Sequence, residues 1–110
     1  MKIALNMGNN NATQTTKATQ AKVLERDIAA AKKGDWTAKT SIVRSFTPLL
    51  TSLAEKRSKD IHDINTHIEH GKEGLFKAVG KFKLTDGGDK FHIFAVEYIE
   101  EAMDRGEKGG

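Results

Sequence analysis

The sequence holds no cysteine, and only one proline, one tryptophan and one tyrosine among its 110 residues. Without cysteine there can be no disulfide, no thiolate metal centre and no cysteine nucleophile, and the expected compartment is the reducing cytoplasm. No apolar run approaches the about 20 residues a helix needs to span a bilayer. The first residues also lack the basic-then-apolar order of a secretory leader, so membranes are not among the expected partners. Period-two alternation is missing as well, and β-branched residues are not clustered between turn signals, which leaves no segment that reads as a strand. At this length one hydrophobic core can form but not two.

What the chain does have is helical spacing. Apolar residues recur every three or four positions in four segments, and Pro48 is the single proline that interrupts any of them. The first segment, residues 18–33, turns Val23, Leu24, Ile28 and Ala31 inward, with Gly34 as its stop. Asp35 and Thr37 offer capping oxygens to the second, which runs through Ile42, Val43, Phe46, Leu49, Leu50 and Leu53 and should bend at Pro48. Asp60 caps a third, striped by Ile61, Ile64, Ile68, Leu75, Val79 and Phe82. The fourth, residues 91–105, faces inward with Phe91, Phe94, Ala95, Tyr98, Ile99 and Ala102. The expected fold is all-α, a compact bundle of about four helices over residues 18–105, with a flexible arm at 1–17 and a flexible tail at 106–110.

Two glycines fall inside the third segment. Gly71 and Gly74 each weaken a helix by about 1 kcal/mol relative to alanine, so either two helices approach closely there or the segment breaks in two. Trp36 reads as a lid over the core between the first two helices, with an anchor for a partner as the alternative. Lys56, Arg57 and Lys59 read as a solvated link, with phosphate contact as the alternative.

No catalytic constellation is present. Ser41, Ser45, Ser52 and Ser58 lie on or beside the second helix with no glycine elbow, and there is no strand to precede a phosphate loop. The expectation is a protein that is not an enzyme and needs no cofactor. Asp86 and Asp89 lack the ordered oxygen ligands and closing glutamate of a calcium loop. His62, His67, His70 and Glu73 share helical spacing and offer a metal face as a lesser reading, though without the H-E-x-x-H order; the expected metal set is none.

Charge is unevenly spread. Residues 1–94 carry 16 Lys and Arg against 10 Asp and Glu, whereas residues 95–110 carry 2 against 5. A mild basic surplus favours an acidic partner, yet the last helix turns Glu97, Glu100, Glu101 and Asp104 outward.

These residues resemble a known family. "HIEHGKEGLFKAVGKF" is similar to D-L-I-Q-E-G-x-x-G-L-x-x-A-V-x-K-F, the pattern of region 2 of bacterial RNA polymerase sigma factors of the sigma-70 family. Upstream, "AKKGDWTAKTSIVRSFTPLLTSLAEK" resembles the family's A-x-x-G-D-x-x-A-x-x-x-L-V-x-x-x-x-P-L-V-x-x-I-A. Downstream, "GGDKFHIFAVEYIEEAMDR" parallels G-x-K-F-S-T-Y-A-x-x-x-I-x-x-A-I-x-R with one extra loop residue. Gly71, Gly74, Ala78, Val79, Lys81, Phe82, Lys90, Phe91, Ala95, Ile99, Ala102 and Arg105 fall on family positions.

The resemblance implies a sigma-factor-like transcription protein that binds RNA polymerase core, and promoter DNA with it, during initiation. It assigns core binding to Thr66, Glu69, His70, Lys72 and Glu73, and DNA contact to Lys83, Lys90, His92, Tyr98 and Arg105. The surface departs from the family at both sets. In the core-binding stretch one carboxylate has moved to Glu69, another position is His70, and Lys72 follows. In the last helix Glu97 precedes Tyr98 where the family pairs aromatic rings, and Glu100 stands in place of an arginine. A ring stacked on a base contributes about 1 to 3 kcal/mol, and a carboxylate beside phosphate repels it, so this helix is poorly suited to melting DNA. The acidic face supports a second reading, a regulatory interaction module that keeps the sigma-like core and docks an anti-sigma-type protein or the polymerase.

Overall fold

The computed structural model describes the backbone of residues 19–109 and the side chains of residues 19–106. The arm expected at 1–17 lies outside the described residues. Four α-helices follow one another: α1 (residues 19–32), α2 (Trp36–Arg57), α3 (Ile61–Lys81) and α4 (Gly88–Gly109), with a 3-10 turn, Leu84–Asp86, between the last two. There is no strand among the described residues, and the fold is an all-α bundle.

Local chemistry sets the boundaries. Gly34 takes φ 97°, a conformation a side chain rarely adopts, and closes α1 with Gly34 N–H to Ala31 carbonyl at 2.9 Å and Asp35 N–H to Ala30 carbonyl at 3.1 Å. Asp35 then caps α2 by accepting from Ala38 N–H at 3.1 Å, and Asp60 caps α3 by accepting from His62 N–H at 2.8 Å. Pro48 sits inside α2 without ending it. Its surface position leaves water for the carbonyl of Arg44, which loses its helical donor. Gly87, at φ 94°, turns the chain into α4, whose first N–H, on Gly88, donates to the Glu25 carboxylate of α1 at 2.8 Å.

The main packing is an antiparallel hairpin of α3 and α4, with α2 across it. Gly71 and Gly74 explain themselves here. Helix α3 is continuous through both, and a Cβ on Gly74 would lie 2.3 Å from the carbonyl oxygen of Tyr98, while one on Gly71 would lie 2.7 Å from Met103 Cε. Close approach, not a helix break, is the reason for the glycines. Above them Phe46, Phe91 and Phe82 meet edge to face at 5.5 and 5.0 Å, and Phe94 and Tyr98 extend the row. Ile28, Ile42, Leu50, Leu75, Ile99 and Met103 complete a fully buried centre.

Several expectations fail in detail. Val23 is 38% exposed because it lies about 140° around α1 from Ile28. Ile61 is 63% exposed, because α4 in its register with Gly106 beside His70 leaves the first turn of α3 uncovered. Trp36 is no lid: at the first position of α2, on the side away from Ala38 and Ile42, it is 71% exposed. Met103, one position beyond the expected Ala102, is the residue fully buried at the end of α4. That helix starts three residues before Phe91 and runs on to Gly109, so the backbone at 106–109 is helical.

Candidate functional site

The residues assigned to core binding lie along the middle of α3. Thr66, Glu69 and Glu73 are exposed and fall within about 60° of one another around the helix. The Thr66 hydroxyl donates back to the His62 carbonyl at 3.0 Å, and Lys72 pairs with Glu69 at 2.9 Å. Glu73 has no ion-pair partner among the described residues, so its carboxylate is free for a partner's cation. His70 departs from the set. It is half-buried, its ring lies over Gly106 of α4, and Nδ1 has no hydrogen-bond partner among the described residues. It packs the hairpin more than it faces outward.

The histidines do not gather. His62 is exposed, His67 is buried and His70 faces α4. Among the described residues no group of three or more His, Asp or Glu side chains is placed to hold a metal. Their helical spacing therefore does not bring the three rings to one exposed face.

The residues assigned to DNA contact are only partly brought together. Lys90, Tyr98 and Arg105 fall within about 80° on one side of α4. His92 lies about 160° away from Lys90 and stacks on Phe46 at 5.6 Å, beside α1 and α2. Lys83 is in the turn before α4, exposed and apart. Tyr98 is half-buried against Phe94 at 5.0 Å, so one ring is held in place rather than free to swing.

Acidic groups share this side of α4, but the fold neutralises some of them. Glu101 accepts from Arg105 at 2.7 Å, and Asp104 pairs with Arg57 from the end of α2. Arg57 therefore belongs to a helix-to-helix contact and not to a solvated link. Glu97 and Glu100 have no such partner among the described residues. The net negative face is thus narrower than four carboxylates in a row would give. A groove of about 350 Å³ between α3 and α4, lined by His70, Glu73, Lys77 and Arg105, joins the two surfaces.

Spacing offers Trp36 as an anchor for a partner only as the alternative to a lid, and it does not bring Phe76 beside it. Trp36, Val43 and Phe76 line a groove at the edge of the Glu69–Glu73 face. The helical phase of α2 carries the signal, since Trp36 lies about 160° around from the buried Ala38.

Among the described residues the four helices make an all-α bundle, consistent with a sigma-factor region 2. The chain is similar to sigma factors over most of its length: it is 34% identical over 85 residues to RNA polymerase sigma factor SigA of Mycoplasma genitalium and, to the same degree, to SigA of Mycoplasma pneumoniae. The similarity covers 77% of this chain and 16% of each relative, so the chain corresponds to about a sixth of those proteins. No family model matches the chain. No solved structure matches it either. Among the described residues no helix is long and apolar enough to cross a membrane.

Proposed function

We propose that this chain acts in transcription initiation as a sigma-like module that binds RNA polymerase core through the exposed face of α3. The observation that supports this most is the 34% identity to a sigma factor over 85 residues, 77% of this chain. On α3, Thr66, Glu69 and Glu73 present a polar, partly acidic face suited to a basic partner helix. The role is one of binding, with no chemistry and no cofactor.

Promoter DNA is the weaker half of the reading. Lys90, Tyr98 and Arg105 share one side of α4, yet Arg105 is tied to Glu101, and Glu97 and Glu100 remain as uncompensated charges beside them. Phosphate contacts by lysine or arginine release counterions, whereas these carboxylates work against binding. The same two carboxylates favour the second reading, a regulatory module whose α4 docks a protein such as an anti-sigma-type partner.

Titration of RNA polymerase core with the purified chain tests the first reading. Saturable binding is expected, weakened at least about tenfold by the double variant Glu69→Lys, Glu73→Lys, since reversing exposed interface charges removes attraction and adds repulsion. Binding that is absent, or indifferent to the variant, counts against this face. Single-stranded promoter DNA separates the readings: affinity that falls steeply with salt supports the initiation role, and none supports the regulatory one.

A further inference from the structure

Opening a duplex makes two demands on the protein surface that does it. Bases leaving the stack must be received on ring faces, and the phosphates of the strand must be met by cations. Helix α4 is poorly equipped for both. Among the described residues each of its rings is already set against another ring of the bundle. Phe91 meets Phe46 and Phe82 edge to face, and His92 stacks on Phe46 at 5.6 Å. Phe94 lies 5.3 Å from Phe82, and Tyr98 lies 5.0 Å from Phe94. Phe91 is fully buried, and Phe94 and Tyr98 are half-buried. The large side chain that α4 does turn to the surface is Ile93, 71% exposed, an aliphatic group with no π-face on which a base could stack.

The charges run the same way. Glu101 pairs with Arg105 within the helix, and Asp104 pairs with Arg57 of α2. Of the charged side chains of α4 left without an ion pair among the described residues, Asp89, Glu97 and Glu100 are acidic and Lys90 alone is basic. The three carboxylates fall within about 80° of one another around the helix, with Ile93 among them. A strand laid on this side brings its phosphates against carboxylates, so repulsion replaces the counterion release that drives association. Thr66, Glu69 and Glu73 stand exposed on a different helix, and none of these α4 groups belongs to their face. A hold on polymerase and the ability to open DNA are therefore separable in this fold.

We propose that the chain holds polymerase core without opening a promoter, and so acts as a competitive inhibitor of initiation by withholding that core from a sigma factor that does open one. The inference rests on core binding through α3, proposed above, and adds that the bound chain is unproductive.

A linear duplex promoter carrying 2-aminopurine at a base that becomes unpaired on opening tests it, because the fluorescence rises when that base unstacks. Core enzyme with the purified chain alone should give no rise at concentrations where direct titration shows the chain bound. Core with a cognate sigma factor at half-saturation should give a rise, and chain at about tenfold its own dissociation constant should lower it about fivefold, by mass action at one shared site. Added sigma factor should restore the signal and added promoter DNA should not. The Glu69→Lys, Glu73→Lys variant, changed only at exposed positions, should keep its helical circular dichroism and leave the signal undiminished. Opening by core and chain alone overturns the inference and leaves core binding standing, as does undiminished opening while the chain is bound to core. Relief by promoter DNA instead of sigma factor overturns it too, since the chain would then be titrating DNA. Absence of core binding overturns both the inference and the functional reading.

Discussion

Glycine is used in this chain for three different physical ends, and substitution by alanine separates them. At Gly74 a Cβ would press on the backbone of α4, 2.3 Å from the Tyr98 oxygen, and neither helix can yield without opening the hairpin. Gly74→Ala should lower stability by about 2 to 3 kcal/mol in urea unfolding, the cost of overpacking a well-packed interface. At Gly71 the obstacles are the flexible ends of Met103 and Leu50, and the gain in helix propensity offsets part of the strain, so Gly71→Ala should cost less. Gly80 is exposed with nothing near it, and Gly80→Ala should raise stability by up to about 1 kcal/mol. A ranking in which Gly74→Ala is mildest would contradict the register of α3 against α4.

The elements are tied by a few polar contacts that periodicity does not reveal. Glu25 of α1 accepts from the first N–H of α4 at 2.8 Å, which holds the start of α4 by a half-buried, charge-assisted hydrogen bond. Glu25→Ala should cost about 1 to 2 kcal/mol and speed amide exchange in the first turn of α4. An unchanged exchange rate there would mean that the contact does not persist in solution. The acidic character of α4 makes a second prediction at this scale. Glu97→Trp with Glu100→Arg restores a ring and a cation where the family has them. Affinity for single-stranded promoter DNA should then rise at least about tenfold at low salt and fall again as salt increases. No rise would mean that these carboxylates are not what limits DNA binding.

Over the whole molecule, the order of helices, their caps and the inward stripe were legible because each follows from a short-range rule: Gly34 and Asp35 at one junction, Asp60 at the next, and apolar residues three and four apart. The glycines Gly71 and Gly74 posed a choice between close packing and a break, and tertiary contact resolved it. What spacing alone does not convey is how far one helix covers another. Ile61 lies in phase with the core and is still exposed, His67 is buried although polar, and Met103 takes the place expected of Ala102. Contacts on the surface are the least legible from spacing. Arg57 and Asp104 are 47 residues apart in sequence and meet only through the bundle, and Trp36 joins Phe76 in the same way.

The central claim is that this fold occupies a sigma factor's place on polymerase core. Competition tests it most directly: labelled full-length sigma factor bound to core, titrated with this chain, with the Glu69→Lys, Glu73→Lys variant in parallel. Displacement by the chain and little or none by the variant is the predicted result. A ternary complex in which sigma factor and chain sit on the core together would contradict the claim.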